Sequence, residues 1–135
     1  HFVALARILL KGLMKEIQKM AKAKATFEGP WPFTEDNIKK HITKTSPGNY
    51  RLGSLNVKKK NLTVEYVGRS DVDVADRIAD HLDEGYTHFR YLYASSAKDA
   101  FEQECYDYHR FQCSANKYHP DKPDGTNYKC PVCGE

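Results

Sequence analysis

The stretch that most constrains what this chain can fold into runs from residue 48 to residue 111. "NYRLGSL" and "LTVEYVG" carry the alternation of two strands, and the polar "NVKKKN" between them suits a hairpin loop. "DVDVADRIADHLDEG" then changes period: Val74, Ile78 and Leu82 recur every fourth position, and Gly85 is a C-terminal stop. "THFRYLYASS" alternates again and is rich in aromatic residues, which predicts a third strand. "AKDAFEQECYDYHRF" follows as a helix with Ser96 as its N-cap. A hairpin, a helix, a strand and a helix in that order predict an α+β fold, a small three-stranded and mainly antiparallel sheet flanked by helices.

Upstream, residues 2–24 read as one amphipathic helix. Phe2, Ala6, Leu9, Leu13, Ile17 and Met20 recur at steps of three or four, and lysines cover the other side. "GPWP" at 29–32 is expected to break the chain, and "FTEDNIKKHI" to restart it as a short helix capped by Thr34. "TSPG" at 45–48 is a turn. Three parts result: a helical N-terminal extension over 1–45, a central domain over 46–116, and a tail over 117–135 dominated by Pro, Asp, Gly and Asn.

Charge is unevenly spread. Residues 1–60 hold 13 Lys and Arg against 4 Asp and Glu, or +9, whereas residues 61–135 hold 8 against 14, or −6. A basic first half suits phosphate-bearing partners, and a solvated helix face would look the same. The apolar opening run is interrupted by Lys11, Lys15 and Glu16 with no small-residue cleavage site after it, so neither a secretory signal nor a membrane span is expected. The expected location is cytoplasmic, and Cys105, Cys113, Cys130 and Cys133 are read as reduced thiols or metal ligands.

"CPVC" at 130–133 is a tight turn that presents two thiolates to one metal. Cys105 and His109, four apart on the last helix, share a face and complete a Cys₃His structural zinc site with Cys130 and Cys133. Cys113 or His119 are alternative replacements for a helix ligand. Zinc would staple a tail too poor in apolar residues to fold alone onto the last helix. Within the tail, His119-Pro120-Asp121 resembles the loop of J-domain co-chaperones. That reading is remote, because the 14 residues after Asp121 contain Pro123, Gly125 and the Cys-Pro-Val-Cys turn and cannot form the second long helix.

A fuller resemblance lies upstream. "GNY" (48–50) opens the first strand, "YVG" (66–68) closes the second, the next helix carries Arg77 and His81, and the last helix carries "AFEQE" with Glu104, twelve residues before Asn116. This ordered set resembles the GIY-YIG nuclease superfamily over about residues 46–116. The departures are Asn49, where an apolar residue is usual, and a longer hairpin. The resemblance implies a metal-dependent endonuclease that hydrolyses phosphodiester bonds in DNA, with RNA not excluded as substrate.

By that resemblance Glu104 holds a single Mg²⁺ or Mn²⁺ and Arg77 clamps the scissile phosphate, roles that suit a hard oxygen ligand and a guanidinium fork. Tyr50 is the candidate general base, with Tyr66 a second phenol beside it. Arg69 and His81 assist its ionisation or the proton transfer, and Asn116 orients substrate or site groups. The alternative is a domain of the same fold that binds nucleic acid or acts as an adaptor without cleaving. The N-terminal helix could serve a protein partner or self-association.

Overall fold

The computed structural model describes all residues, 1–135. The elements run α1 (Phe2–Ala23), β1 (Glu28–Pro32), α2 (Glu35–His41), β2 (Gly48–Asn56), β3 (Asn61–Ser70), α3 (Val74–Ala79), β4 (His88–Tyr93) and α4 (Ala97–Phe111). The strands form one sheet in the order β1-β4-β2-β3, every neighbouring pair antiparallel.

The β2–β3 hairpin is its longest unit. The Asn56 side chain accepts from the Lys59 N–H at 3.1 Å and fixes the turn, which Lys60 closes in a left-handed conformation at φ 53°. A bulge follows Leu52, where a Cβ on Gly53 would collide with the Thr63 carbonyl.

Four strands, not three, make up the sheet. The added strand is β1, built from the "GPWP" segment where the sequence predicts a break. Proline is excluded from central strands because it lacks an N–H, but an edge strand tolerates it, and β1 is an edge. The register slips between Glu28 and Trp31. Trp31 decides the outcome: its ring stacks on His41 at 3.6 Å and packs against Phe89 and Tyr91, so partial burial of the indole outweighs the weak pairing.

Strand alternation divides the buried residues into two layers. Tyr50, Leu52, Phe89 and Tyr91 face α2 and α3 and pack with Phe33, Ile38, Ile42, Val74 and Ile78. Asn49 and Arg51 point the other way, under α4. The Arg51 guanidinium meets the Asp107 carboxylate at 2.8 and 3.1 Å, Gln103 donates to the same carboxylate at 3.1 Å, and Phe27 lies 3.7 Å from the guanidinium carbon. Asn49, fully buried, donates to the Ala100 carbonyl at 2.8 Å. Where the resemblance puts an apolar residue, this chain thus has a polar tie between β2 and the first turn of α4.

The sequence-predicted helix over 71–85 is shorter. After Ala79, i→i+3 bonds take over, with N–H groups of Asp80, His81 and Leu82 donating to Arg77, Ile78 and Ala79. Asp80, Asp83 and Glu84 crowd the end where a helix disfavours negative charge, which accounts for the tightening. His81 therefore lies in these turns, not on the helix.

The long helix α1 buries none of its residues, and Phe2 is 91% exposed. It touches the rest of the molecule at its last turn, where Lys22 pairs with Asp99 and the Lys22 carbonyl accepts from Gln103 at 3.2 Å. No helix is long and apolar enough to cross a membrane.

Candidate active site and metal centre

Tyr50 on β2 lies directly across from Gly68 on β3, and a Cβ on Gly68 would collide with the phenol ring and hydroxyl of Tyr50. The glycine of "YVG" therefore makes room for the tyrosine of "GNY". Tyr66 lies on the same face of β3, its ring 6.3 Å from that of Tyr50. The turns after α3 bring His81 over both rings, with its Nε2 2.9 Å from the Tyr50 hydroxyl and its Nδ1 2.9 Å from each carboxylate oxygen of Glu84.

These groups open into a cleft of about 650 Å³ lined by Tyr50, Tyr66, Arg69, Arg77, His81 and Glu104, among others. Six of the seven residues singled out as catalytic candidates are thus together. The seventh, Asn116, is not in the cleft. Its side-chain amide accepts from the Val67 N–H at 3.0 Å and donates to the Val67 carbonyl at 2.9 Å. It substitutes for a neighbouring strand along β3 and so holds the strand next to Gly68 and Arg69.

Electrostatics in the cleft are mixed. Arg69 bridges Glu104 at 2.7 Å and Asp71 at 2.7 Å. Burial pushes the Glu104 carboxyl above its ordinary range, and Arg69 pulls against that. Burial also pushes the Tyr50 phenol far above its ordinary value, with Tyr66 and Glu104 adding to the rise. Arg77 stands at the mouth, its side chain 58% exposed, with Asp80 3.7 Å away. Asp71, Asp73, Asp76, Asp80 and Asp121 also line the cleft, so acids outnumber the arginines. Glu104 is half-buried, its side chain 14% exposed.

The second site lies in the tail. His109, His119, Cys130 and Cys133 bring their ligand atoms within 4.8 Å of one another, a His₂Cys₂ group that can bind a metal such as zinc. His109 Nε2 lies 3.3 Å from His119 Nε2 and 3.4 Å from Cys130 Sγ, and His119 Nε2 lies 3.4 Å from Cys133 Sγ. Zinc bonds of about 2.0–2.1 Å to nitrogen and about 2.3 Å to sulfur make a tetrahedron with edges of about 3.3 Å (N–N) and about 3.5 Å (N–S). The three spacings given match those edges. His119 Nδ1 donates to the Pro120 carbonyl at 2.9 Å, which leaves Nε2 bare toward the group.

This set corrects the expected Cys₃His ligands in one position: His119 takes the place of Cys105. Cys105 is fully buried and packs with Phe101 and Cys130, where burial pushes its thiol far up. Burial pushes Cys130 up as well. There the N–H groups of Cys133 and Val132, at 3.5 and 3.4 Å from its sulfur, outweigh it, and the thiol falls to about 6. Of the two buried cysteines, Cys130 thus belongs to the group that can bind a metal, and Cys105 is a core residue. Cys113 is elsewhere, its thiol 3.6 Å from the Val64 carbonyl. His119 of the His-Pro-Asp loop belongs to the metal group, and no helix follows the loop within residues 122–135.

Two residues were missed by sequence reasoning. Glu84 carries no motif and is found only through its contact with His81. Asp121 was noted only within the His-Pro-Asp loop, yet its backbone carbonyl accepts from Arg69 at 2.6 Å. Comparison of the chain with known protein families, curated proteins and solved structures returns no match, so the reading of both sites rests on their geometry.

Proposed function

We propose that this chain is a metal-dependent endonuclease of the GIY-YIG type that hydrolyses phosphodiester bonds in DNA. The observation that carries the reading is the convergence of Tyr50, Tyr66, Arg69, Arg77, His81 and Glu104 on one cleft. Glu104 would hold a Mg²⁺ or Mn²⁺ ion, which when bound neutralises charge at the phosphate and stabilises the leaving oxygen. Arg77, exposed at the mouth, reaches phosphate oxygens with two parallel N–H groups. Tyr50 faces the attacking water, and Tyr66 packs beside it and limits its movement. The tail group takes a structural zinc that pins residues 119–133 beside the cleft. The apolar residues of α1 support a contact with a protein partner or a second copy.

A second reading is a nucleic-acid-binding or adaptor domain with no cleavage. It is favoured by the bridge between Arg69 and Glu104 and by the aspartates that line the cleft, which repel phosphate unless a cation is present.

Plasmid nicking with Mg²⁺ or Mn²⁺, comparing the wild type with Glu104→Ala and Arg77→Ala, separates the two. Nicking by the wild type alone is expected. Equal nicking by both variants would sink this site, and no cleavage of plasmid, branched or single-stranded DNA would favour the binding domain.

A further inference from the structure

We propose that Glu84 is a positioning residue that completes a Tyr50–His81–Glu84 proton relay, in which His81 takes the phenolic proton of Tyr50. The proposal rests on the nuclease reading above and adds to it the route by which the phenol acts as a base.

With the His81 ring neutral, the contacts assign each donor and acceptor. An ionised carboxylate only accepts, and both Glu84 oxygens lie 2.9 Å from His81 Nδ1, so Nδ1 carries the hydrogen. In the neutral imidazole Nε2 is then bare, and because it lies 2.9 Å from the Tyr50 oxygen the phenol donates to it. A phenol this buried does not ionise by itself at neutral pH, and His81 is the base within hydrogen-bond reach of it. The imidazole is held between Tyr66, 4.9 Å away between ring centres, and Tyr50, 5.4 Å away. Glu84 has a side chain 47% exposed, so replacing it leaves the core intact.

The step balances. Water oxygen bonds to phosphorus while the bond from phosphorus to the leaving sugar oxygen breaks. The water proton passes to the Tyr50 oxygen as the phenolic proton passes to Nε2. The resulting imidazolium keeps its Nδ1–H on Glu84, whose charge balances it. The leaving oxygen takes a proton from solvent, and Nε2 later releases its own.

The test combines a spectroscopic and a kinetic readout on the full chain. Long-range ¹H–¹⁵N correlation reports which His81 nitrogen carries hydrogen, whether or not the protein cleaves DNA. The wild type is expected in the Nδ1–H form and Glu84→Ala outside it. Glu84→Ala is expected to lower kcat for nicking roughly tenfold to a hundredfold with KM nearly unchanged. Glu84→Gln, whose carbonyl still accepts from Nδ1–H, restores the tautomer and part of kcat. An Nε2–H form in the wild type, or a Glu84→Ala kcat near the wild-type value, overturns the relay. If the wild type nicks nothing, the nuclease reading fails separately and the tautomer comparison alone decides the relay's geometry.

Discussion

Arg69 donates from Nη2 to the backbone carbonyl of Asp121 at 2.6 Å, two residues beyond the metal-group residue His119. The same guanidinium bridges Glu104 and Asp71. The loop that closes the metal group is therefore also a wall of the cleft, and the two sites share a residue's worth of backbone.

Zinc removal is accordingly expected to disturb both sites. Purified protein should hold about one zinc per chain. His119→Ala and Cys133→Ser should lose it, whereas Cys105→Ala should keep it, because Cys105 packs in the core. Elemental analysis of the three variants checks the assignment. Stripping the metal should also lower the thermal midpoint and weaken nicking, since Arg69 loses the fixed carbonyl that orients it. Retained zinc in His119→Ala would contradict the His₂Cys₂ set.

Gly68→Ala should cost activity more than any distant strand substitution. The added methyl meets the Tyr50 ring across the β2–β3 ladder, so either the phenol leaves His81 or the strands separate. The expected result is a fall in kcat of at least tenfold with a folded circular-dichroism spectrum, allowing a stability loss of about 1–3 kcal/mol for the overpacking. An unchanged kcat would show that the Tyr50 hydroxyl need not stay where His81 holds it.

Some of this arrangement was legible in the sequence. The strand periods placed Tyr50 and Tyr66 on a hairpin, and the helical period placed Cys105 and His109 on one face of α4, because alternation and helical spacing are local properties. β1 was not legible, since "GPWP" reads as a break and becomes a strand only through the packing of Trp31 on His41, Phe89 and Tyr91. The choice between Cys105 and His119 was equally hidden. Spacing along α4 favours Cys105, and the decision comes from how the tail folds back. Glu84 and the Asp121 carbonyl belong to turns, whose course no periodicity describes.

The Arg51–Asp107 pair under α4 should respond asymmetrically to mutation. Both groups are buried, with side chains 10% and 1% exposed. Arg51→Met removes one partner and leaves the carboxylate uncompensated except for Gln103, with an expected loss of about 3–5 kcal/mol. Arg51→Met with Asp107→Leu removes both charges and should recover most of that loss. Urea unfolding of the single and double variants measures the difference. A double variant no more stable than the single would mean that the pair anchors α4 by its geometry more than by charge balance.

Stability should also fall in alkali, with Tyr91 contributing. Its hydroxyl donates to the His41 carbonyl at 2.8 Å, and burial, with Tyr93 beside it, pushes the phenol up to about 12. A phenol whose pKa is higher in the fold than in the unfolded chain stabilises the fold fully below its ordinary value of about 10, and that contribution disappears as pH rises through the folded value. Tyr93 moves the other way: burial of its phenol is outweighed by the N–H groups of Lys44 and Thr43 on its oxygen. Tyr91→Phe should therefore start less stable at pH 8 by about 1 kcal/mol, for the lost hydrogen bond. It should then lose less than the wild type between about pH 10 and about pH 12. Urea midpoints across that range compare the two slopes. Parallel slopes would mean that Tyr91 ionises in the fold as readily as in the unfolded chain.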